Sequence, residues 1–424
     1  MSDPQFEASQ EFAAAMDARD PLKCFRERFF IPRTRAGGES IYLCGHSLGL
    51  QPKNASAYVN QELRDWAELG VEGHFHAKNP WISYHRLLTQ QTAALVGAHP
   101  AEVVVMNSLT VNLHLMMASF YRPTKERHKI LVEGGAFPSD QYAVKSQIRF
   151  HGLDPASSLL ELAPRDGESC IRDQDIEALI DREGDSIALV LIGGVNYVTG
   201  QAFDMAGITK AGRRKGCVVG FDLAHAAGNI RLRLHDWEAD FAVWCNYKYM
   251  NGGPGCAGGC FVHERHGRTS KLPRFAGWWG HNEKTRFRMG PDFDPMPGAE
   301  GWQLSNPPIL VLAALRASME IFSEAGLERL HAKSILLTGY MEFLLGQKAS
   351  PKFSIITPHE VARRGAQISI RLAADGRKLR DQMANAGVIG DWREPDIFRI
   401  AAAPLYNSFQ DIYHFAQHLS ALVS

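Results

Sequence analysis

From about residue 100 to residue 263, short apolar runs alternate with longer stretches in which apolar residues recur every three to four positions. The runs EVVVMN, HKILVEGG, SIALVLIGG, CVVGFD, FAVWCN and GGCFVH predict strands, and SLTVNLHLMMASF, PSDQYAVKSQIRF and DMAGITKAGRRKG predict helices between the first four. That alternation is the signature of βαβ units and of a mostly parallel sheet. ALVLIG and CVVGF are apolar at both parities, so helices should cover both faces of the sheet.

The pattern changes after Asn306. PPILVLAALRASMEIF and LERLHAKSILLTGYMEFLLG read as helices, FSIIT and AQISIRL as strands, DGRKLRDQMANAG as a helix, DIFRIAAAP as a strand, and the chain closes on a helix. The fold class expected is α/β, with a large domain over 48–305 and a smaller α+β domain built from 1–47 together with 306–424. Pro and Gly cluster at 251–259 and 290–308, which marks those segments as active-site loops.

A chain of 424 residues exceeds what one hydrophobic core normally supports, in keeping with two domains. Lys plus Arg and Asp plus Glu number 46 each, so no bulk field draws the protein to nucleic acid or acidic membranes, and a small molecule is the expected partner. The seven cysteines (Cys24, Cys44, Cys170, Cys217, Cys245, Cys256, Cys260) contain no CxxC pair, as expected of reduced thiols. The first residues, MSDPQFEASQEF, lack a basic and apolar leader, and no run of eighteen apolar residues occurs. A cytoplasmic protein is expected.

Candidate chemistry starts at Asp222, which ends the run CVVGFD. In an open α/β sheet, ligands bind outside the carboxyl ends of the strands, where this carboxylate would project. Alone it reads as a loop-solvating residue. The run FAVWCN leads into Tyr247, Lys248 and Tyr249 and then NGGPGCAGG, which puts a lysine at the same sheet edge. Lysine forms Schiff bases with carbonyl compounds, and a desolvated aromatic edge favours its neutral, attacking form. Pyridoxal phosphate needs a protonated ring nitrogen, which a neighbouring carboxylate stabilises. Ser108, Leu109 and Thr110 open a helix after EVVVMN, where backbone N–H groups and hydroxyls suit a phosphate; without Asp222 and Lys248 they would read as an ordinary N-cap. Phe137 follows HKILVEGG and can stack on a pyridine ring, the alternative being a core phenylalanine.

FDLAHAAGN, NYKYMNGGPG, GWWGH, SNPPIL and APLYNSF, in that order, resemble the kynureninases, fold-type I pyridoxal-phosphate enzymes of the aminotransferase class V type. The likeness runs from about residue 42 onward. It implies cleavage of the Cβ–Cγ bond of L-kynurenine or 3-hydroxy-L-kynurenine to (3-hydroxy)anthranilate and L-alanine in tryptophan catabolism. It makes Lys248 the Schiff-base lysine and base, Asp222 the partner of the ring nitrogen, Phe137 the stacking ring, and Leu109 and Thr110 phosphate contacts. Asp140, His225 and Tyr247 match further cofactor positions, with Tyr247 also a candidate proton donor to Cβ. Trp278 and Asn306 match residues that reach the site across a homodimer interface. Arg399 matches the arginine that grips the substrate α-carboxylate, for which a bidentate guanidinium is suited. His74 and Asn306 stand where members preferring 3-hydroxykynurenine carry His and Asn, so appreciable use of that substrate is expected. Gly193 departs from the pattern, since some members carry serine there.

Three other readings stay open at this point. A cysteine desulfurase shares the Asp–Lys logic but needs a mobile late cysteine, and none follows Cys260. An aminotransferase gives no reason for GWWGH or SNPPIL. A zinc-binding protein built on Cys256, Cys260, His263 and His266 would have unusually close ligand pairs. Trp66, Trp81 and Tyr84 read as packing residues.

Overall fold

The computed structural model describes residues 5–268, 271–347, 352–373 and 376–423. Seven strands form the large sheet: β1 Val103–Met106, β2 Lys129–Glu133, β3 Leu159–Leu162, β4 Ile187–Gly193, β5 Val218–Asp222, β6 Phe241–Cys245 and β7 Gly258–Val262. Their spatial order is β1-β7-β6-β5-β4-β2-β3. All neighbours pair in parallel except β7, which runs antiparallel to both β1 and β6.

The apolar doubling of the strands has the expected cause. In β1, Val103 and Val105 face one hydrophobic cluster while Val104 and Met106 face another, and β4 divides Val190 and Ile192 from Leu189 and Leu191 in the same way. Helices Leu109–Phe120 and Pro138–Phe150 lie on one face, and Asp173–Glu183 and Met205–Arg214 on the other. Strand β3 is not among the expected strands; it is an edge strand in which Leu159, Leu160 and Leu162 are only partly buried and Glu161 is exposed.

A second sheet comprises β8 Phe353–Ile355, β9 Gln367–Leu372, β10 Asp391–Arg393 and β11 Ile397–Ala401, in the order β10-β11-β9-β8, all antiparallel. Helices Leu327–Gly346 and Phe409–Val423 pack on it, and Ala13 of the first helix, Gln10–Arg19, joins the same core. The helix expected over DGRKLRDQMANAG is observed as Gly376–Asn385; Asp375 lies outside the described residues. The two cores change over within helix Leu327–Gly346, where Leu330 packs with the large sheet and Leu337 with the small one. Helix Ile309–Ala325 buries Leu312, Leu315 and Phe322 against the large-sheet cluster. Tyr84 packs as expected, its hydroxyl donating to Glu62 at 3.1 Å, whereas Trp66 is exposed.

Two glycines let the central strands lie flat beneath large rings. Gly220 of β5 sits opposite Phe241 of β6, and Gly259 of β7 opposite Trp244. A methyl group on either would lie 2.1 Å from the facing ring. Cross-strand pairs of this kind replace the missing side chain with the neighbour's aromatic surface. Gly259→Ala should therefore destabilise the protein by about 1–3 kcal/mol through overpacking, and Gly259→Ala with Trp244→Leu should recover part of the loss. Denaturant midpoints of the three proteins check this; an unchanged midpoint in the single variant would contradict the packing.

Candidate active site

The carboxyl ends of β2, β4 and β5 and the segment after β6 open into one cavity of about 250 Å³. Leu109, Thr110, Glu133, Phe137, Ser139, Asp140, Gly193, Val195, Tyr197, Asp222, Ala224, His225, Tyr247 and Lys248 line it. Eight residues expected from the sequence thus meet in one place: Leu109, Thr110, Phe137, Asp140, Asp222, His225, Tyr247 and Lys248.

Each is delivered by its element. Leu109 and Thr110 open the helix after β1, and Ser108, its N-cap, makes no side-chain capping bond. Thr110 Oγ1 lies 2.9 Å from Ser139 Oγ, in the first turn of helix Pro138–Phe150, so two helix starts converge at one end of the cavity. Converging N–H groups and hydroxyls there suit an anion. Phe137 is half exposed and meets the Tyr197 ring edge-on at 5.2 Å, which leaves a ring face open rather than packed in the core. Lys248 Nζ stands 6.0 Å from the centre of the Phe137 ring and 5.8 Å from that of Tyr247.

Three carboxyl groups crowd the floor. Asp222 is buried and its Oδ1 accepts the Ala224 N–H at 2.7 Å. Burial raises its pKa, while that bond and the Lys248 charge oppose the rise. Asp140 is raised more strongly, first by burial and then by the charges of Asp222 and Glu133, so it keeps the proton and hydrogen-bonds Asp222. Glu133 accepts the Gly193 N–H with both oxygens, at 3.2 and 3.0 Å, and burial pushes its carboxyl up to about 7. A Cβ on Gly193 would sit 2.7 Å from Glu133 Oε1, so the carboxyl fills the space a serine would need. His225 is held neutral by burial and by the Lys248 and Arg399 charges. Burial and the neighbouring Cys245 raise the Tyr247 phenol, which therefore keeps its proton.

Asp140 Oδ1 and His225 Nδ1 are buried without a hydrogen-bond partner among the described residues. Orphaned polar atoms facing a cavity are what a polar ligand satisfies. A phosphate-suited end, an open aromatic face, a buried carboxylate and a lysine fit pyridoxal phosphate.

Arg399 lies outside the cavity lining but adjoins it. It stands in β11 opposite Asp391 of β10, is fully buried, and donates from Nη2 to Asp391 and from Nη1 to the Tyr197 carbonyl at 2.6 Å. Trp278, Asn306 and His74 do not line the cavity. Asn306 borders a separate hollow with Met106, Asn107 and Gln303. Trp278 touches Phe287, which reaches Phe75 beside His74, and all three aromatic rings are largely exposed. Of the residues weighed for zinc, Cys260 points at Met116, His263 leans on Glu102 and His266 pairs with Asp240 at 2.6 Å.

Glu133, Ser139 and Tyr197 were not anticipated. Glu133 ends β2 as Asp222 ends β5, so the same rule would have found it, and Ser139 sits between two residues already singled out. Tyr197 carries no local signal, because its role arises from contact with Phe137 and Arg399.

The fold is that of the fold-type I pyridoxal-phosphate enzymes. Solved structures with the same fold include the cystine C–S lyase C-DES in complex with cysteine persulfide, with TM-score 0.74 and 17% identity over 90% of this chain and 97% of that one. Cysteine desulfurase CsdA from Escherichia coli matches with TM-score 0.74 and 16% identity over 95% of this chain and 98% of that one. At such identities the likeness establishes the fold alone. Sequence relatives go further: the kynureninase of Koribacter versatilis is 66% identical over 99% of both chains. That of Myxococcus xanthus is 60% identical over 98% of this chain and 97% of its own. Residues 330–419 match the kynureninase C-terminal domain family. The chain belongs to the kynureninase family, enzymes that hydrolyse the Cβ–Cγ bond of kynurenine with pyridoxal phosphate.

The Glu133 carboxyl yields a test independent of turnover. Its folded pKa of about 7 exceeds the ordinary 4.5, so between these values the folded state binds the extra proton and stability falls as pH rises. Glu133→Gln cannot ionise. In cofactor-stripped protein, its stability relative to wild type should rise between pH 5 and 8 by up to about 3 kcal/mol. A pH-independent difference in denaturation midpoints would show that Glu133 ionises normally.

Proposed function

We propose that the Lys248 cavity performs the kynureninase reaction with the following division of work. Thr110 and Ser139 and the helix starts that carry them would hold the cofactor phosphate, Phe137 would offer its open face to the ring, and the Asp222 carboxylate would favour the protonated ring nitrogen. Lys248 anchors the cofactor covalently between turnovers. Pyridoxal phosphate supplies the electron sink for the bond-breaking steps.

With the cofactor bound, Lys248 would be the base that takes the Cα proton and the amine that releases alanine at the end of turnover. Tyr247, protonated and in the same wall, donates to Cβ after water has added to the γ-carbonyl and anthranilate has left. His225, neutral, offers hydrogen bonds without adding charge. Arg399 holds the α-carboxylate. The observation that carries this reading is the meeting of Lys248, Asp222 and the open face of Phe137 at the strand ends of a kynureninase-family chain.

Trp278, Asn306 and His74 serve the site of a second subunit. They lie outside their own chain's cavity, and Trp278 and the neighbour of His74, Phe75, form an exposed apolar cluster with Phe287. Exposed aromatic patches of this kind mark protein contacts. In that setting His74 and Asn306 bind the ring hydroxyl of 3-hydroxykynurenine. All seven cysteines are free thiols, which supports a reducing, cytoplasmic setting for the reaction. No described helix is long and apolar enough to cross a membrane.

The purified protein should be yellow, Lys248→Ala should lose covalent cofactor absorbance and product release, and wild type should use 3-hydroxykynurenine at least as efficiently as kynurenine. Spectra with fluorescence of anthranilate and 3-hydroxyanthranilate check this. Amino-group transfer without alanine release would overturn the reaction; a clear preference for kynurenine would remove the hydroxyl-binding role alone. Sharing of sites predicts complementation with 3-hydroxykynurenine as substrate: when subunits of inactive Lys248→Ala and impaired Asn306→Ala re-mix, activity should exceed the mean of the two separate proteins, approaching roughly a quarter of wild type the more impaired Asn306→Ala is, because hybrid dimers keep one intact site. No gain over that mean despite hybrid formation would place Asn306 with its own chain's Lys248.

A further inference from the structure

Beside the cavity lies a group of polar atoms to which the roles above give no work. His46 is fully buried, and neither of its ring nitrogens has a hydrogen-bond partner among the described residues. The hydroxyl of buried Tyr249, one residue past Lys248, is unpartnered in the same way, and so is Nε of Arg399. Leaving a buried donor unsatisfied is costly, so several gathered together point to something that satisfies them.

They are gathered. His46 Nε2 lies 3.7 Å from the Asp391 carboxylate that also receives Arg399. The His46 ring is 6.3 Å from that of His225, which is 6.5 Å from that of Tyr249. Local structure explains the meeting: Cys44 bridges to Ala401, two residues past Arg399, which lays the segment carrying His46 along β11. Tyr249 is brought in by the turn that presents Lys248.

The surroundings select an anion. Arg393 and Arg399 both contact Asp391, and Lys248 lies on the cavity side. Burial and these cations keep His46 neutral, so it offers one N–H, and Tyr249 keeps its phenolic proton. Two neutral donors and one guanidinium come from three chain segments and lie next to His225 and Tyr197, which line the cavity.

We propose that His46 and Tyr249 donate hydrogen bonds to the α-carboxylate of the amino-acid substrate beside Arg399, and so strengthen the hold on that end of the bound substrate. Arg399 supplies the charge; the two neutral donors set how the carboxylate plane is turned. This rests on the role given to Arg399 above and adds the groups that make its grip directional.

The test compares kynurenine with its decarboxylated analogue, the amine lacking the α-carboxylate, on the holoenzyme. KM and kcat are measured for kynurenine and the inhibition constant for the amine, in wild type, Tyr249→Phe, His46→Phe, His46→Asn and Arg399→Gln. Tyr249→Phe and His46→Phe should each raise KM about tenfold, with a much smaller effect on kcat and none on the amine. His46→Asn retains a donor and should stay within about threefold of wild type. Unchanged KM in both phenylalanine variants, or equal losses for kynurenine and the amine, would overturn the proposal. If His46→Phe does not fold, Tyr249→Phe, which removes only an oxygen, decides. Arg399→Gln separates the two layers: if it raises KM while the others do not, only the role of His46 and Tyr249 falls. If it too leaves KM unchanged, the role given to Arg399 falls as well.

Discussion

Negative charge gathered where water is scarce is the constraint on which this molecule is arranged. Asp222, Asp140 and Glu133 come from the end of β5, the first turn of a helix and the end of β2, and meet at one cavity floor. Three buried carboxylates cannot all ionise at such close quarters, so Asp140 retains a proton, Glu133 titrates late, and the remaining charge falls to Asp222. A floor of that kind attracts and stabilises a cationic ring, while the N–H groups and hydroxyls of the two helix starts suit an anion. The cavity therefore has an electrical polarity that matches a zwitterionic cofactor before any individual contact is considered.

The smaller sheet is tied into this scheme through one side chain. Arg399 belongs to the small core by its strand, yet it donates to the carbonyl of Tyr197 in the loop that follows β4 of the large sheet. The Tyr197 ring, in turn, abuts Phe137. Phe137 and Arg399, proposed to cover the cofactor ring and to grip the substrate, are thereby one amino acid apart in contact, although 262 positions separate them in the chain.

Much of this was legible beforehand where the signal is local. Strand ends carry ligand-facing residues, and helix starts follow them, so Asp222, Lys248, Phe137 and Thr110 could be placed from their neighbours in sequence. The direction of β7 could not, because an apolar run has no polarity and only its partners decide which way it lies. Strand β10 was hidden for another reason: Asp391, Trp392 and Arg393 do not look like a strand until Asp391 is set opposite Arg399. His46, Tyr197 and Tyr249 acquire meaning only through contacts across the fold, and no spacing rule reaches them.

The meeting of Glu133 and Gly193 carries a consequence for the cavity floor. The carboxyl occupies the volume a Cβ would claim, so the two positions, sixty residues apart, behave as one site with a single occupant. A side chain at 193 is accommodated by turning the end of the Glu133 side chain aside, which gives up its two bonds to the Gly193 N–H and moves a carboxyl at the cavity floor. The residue at 193 therefore tunes the position of the acid at 133.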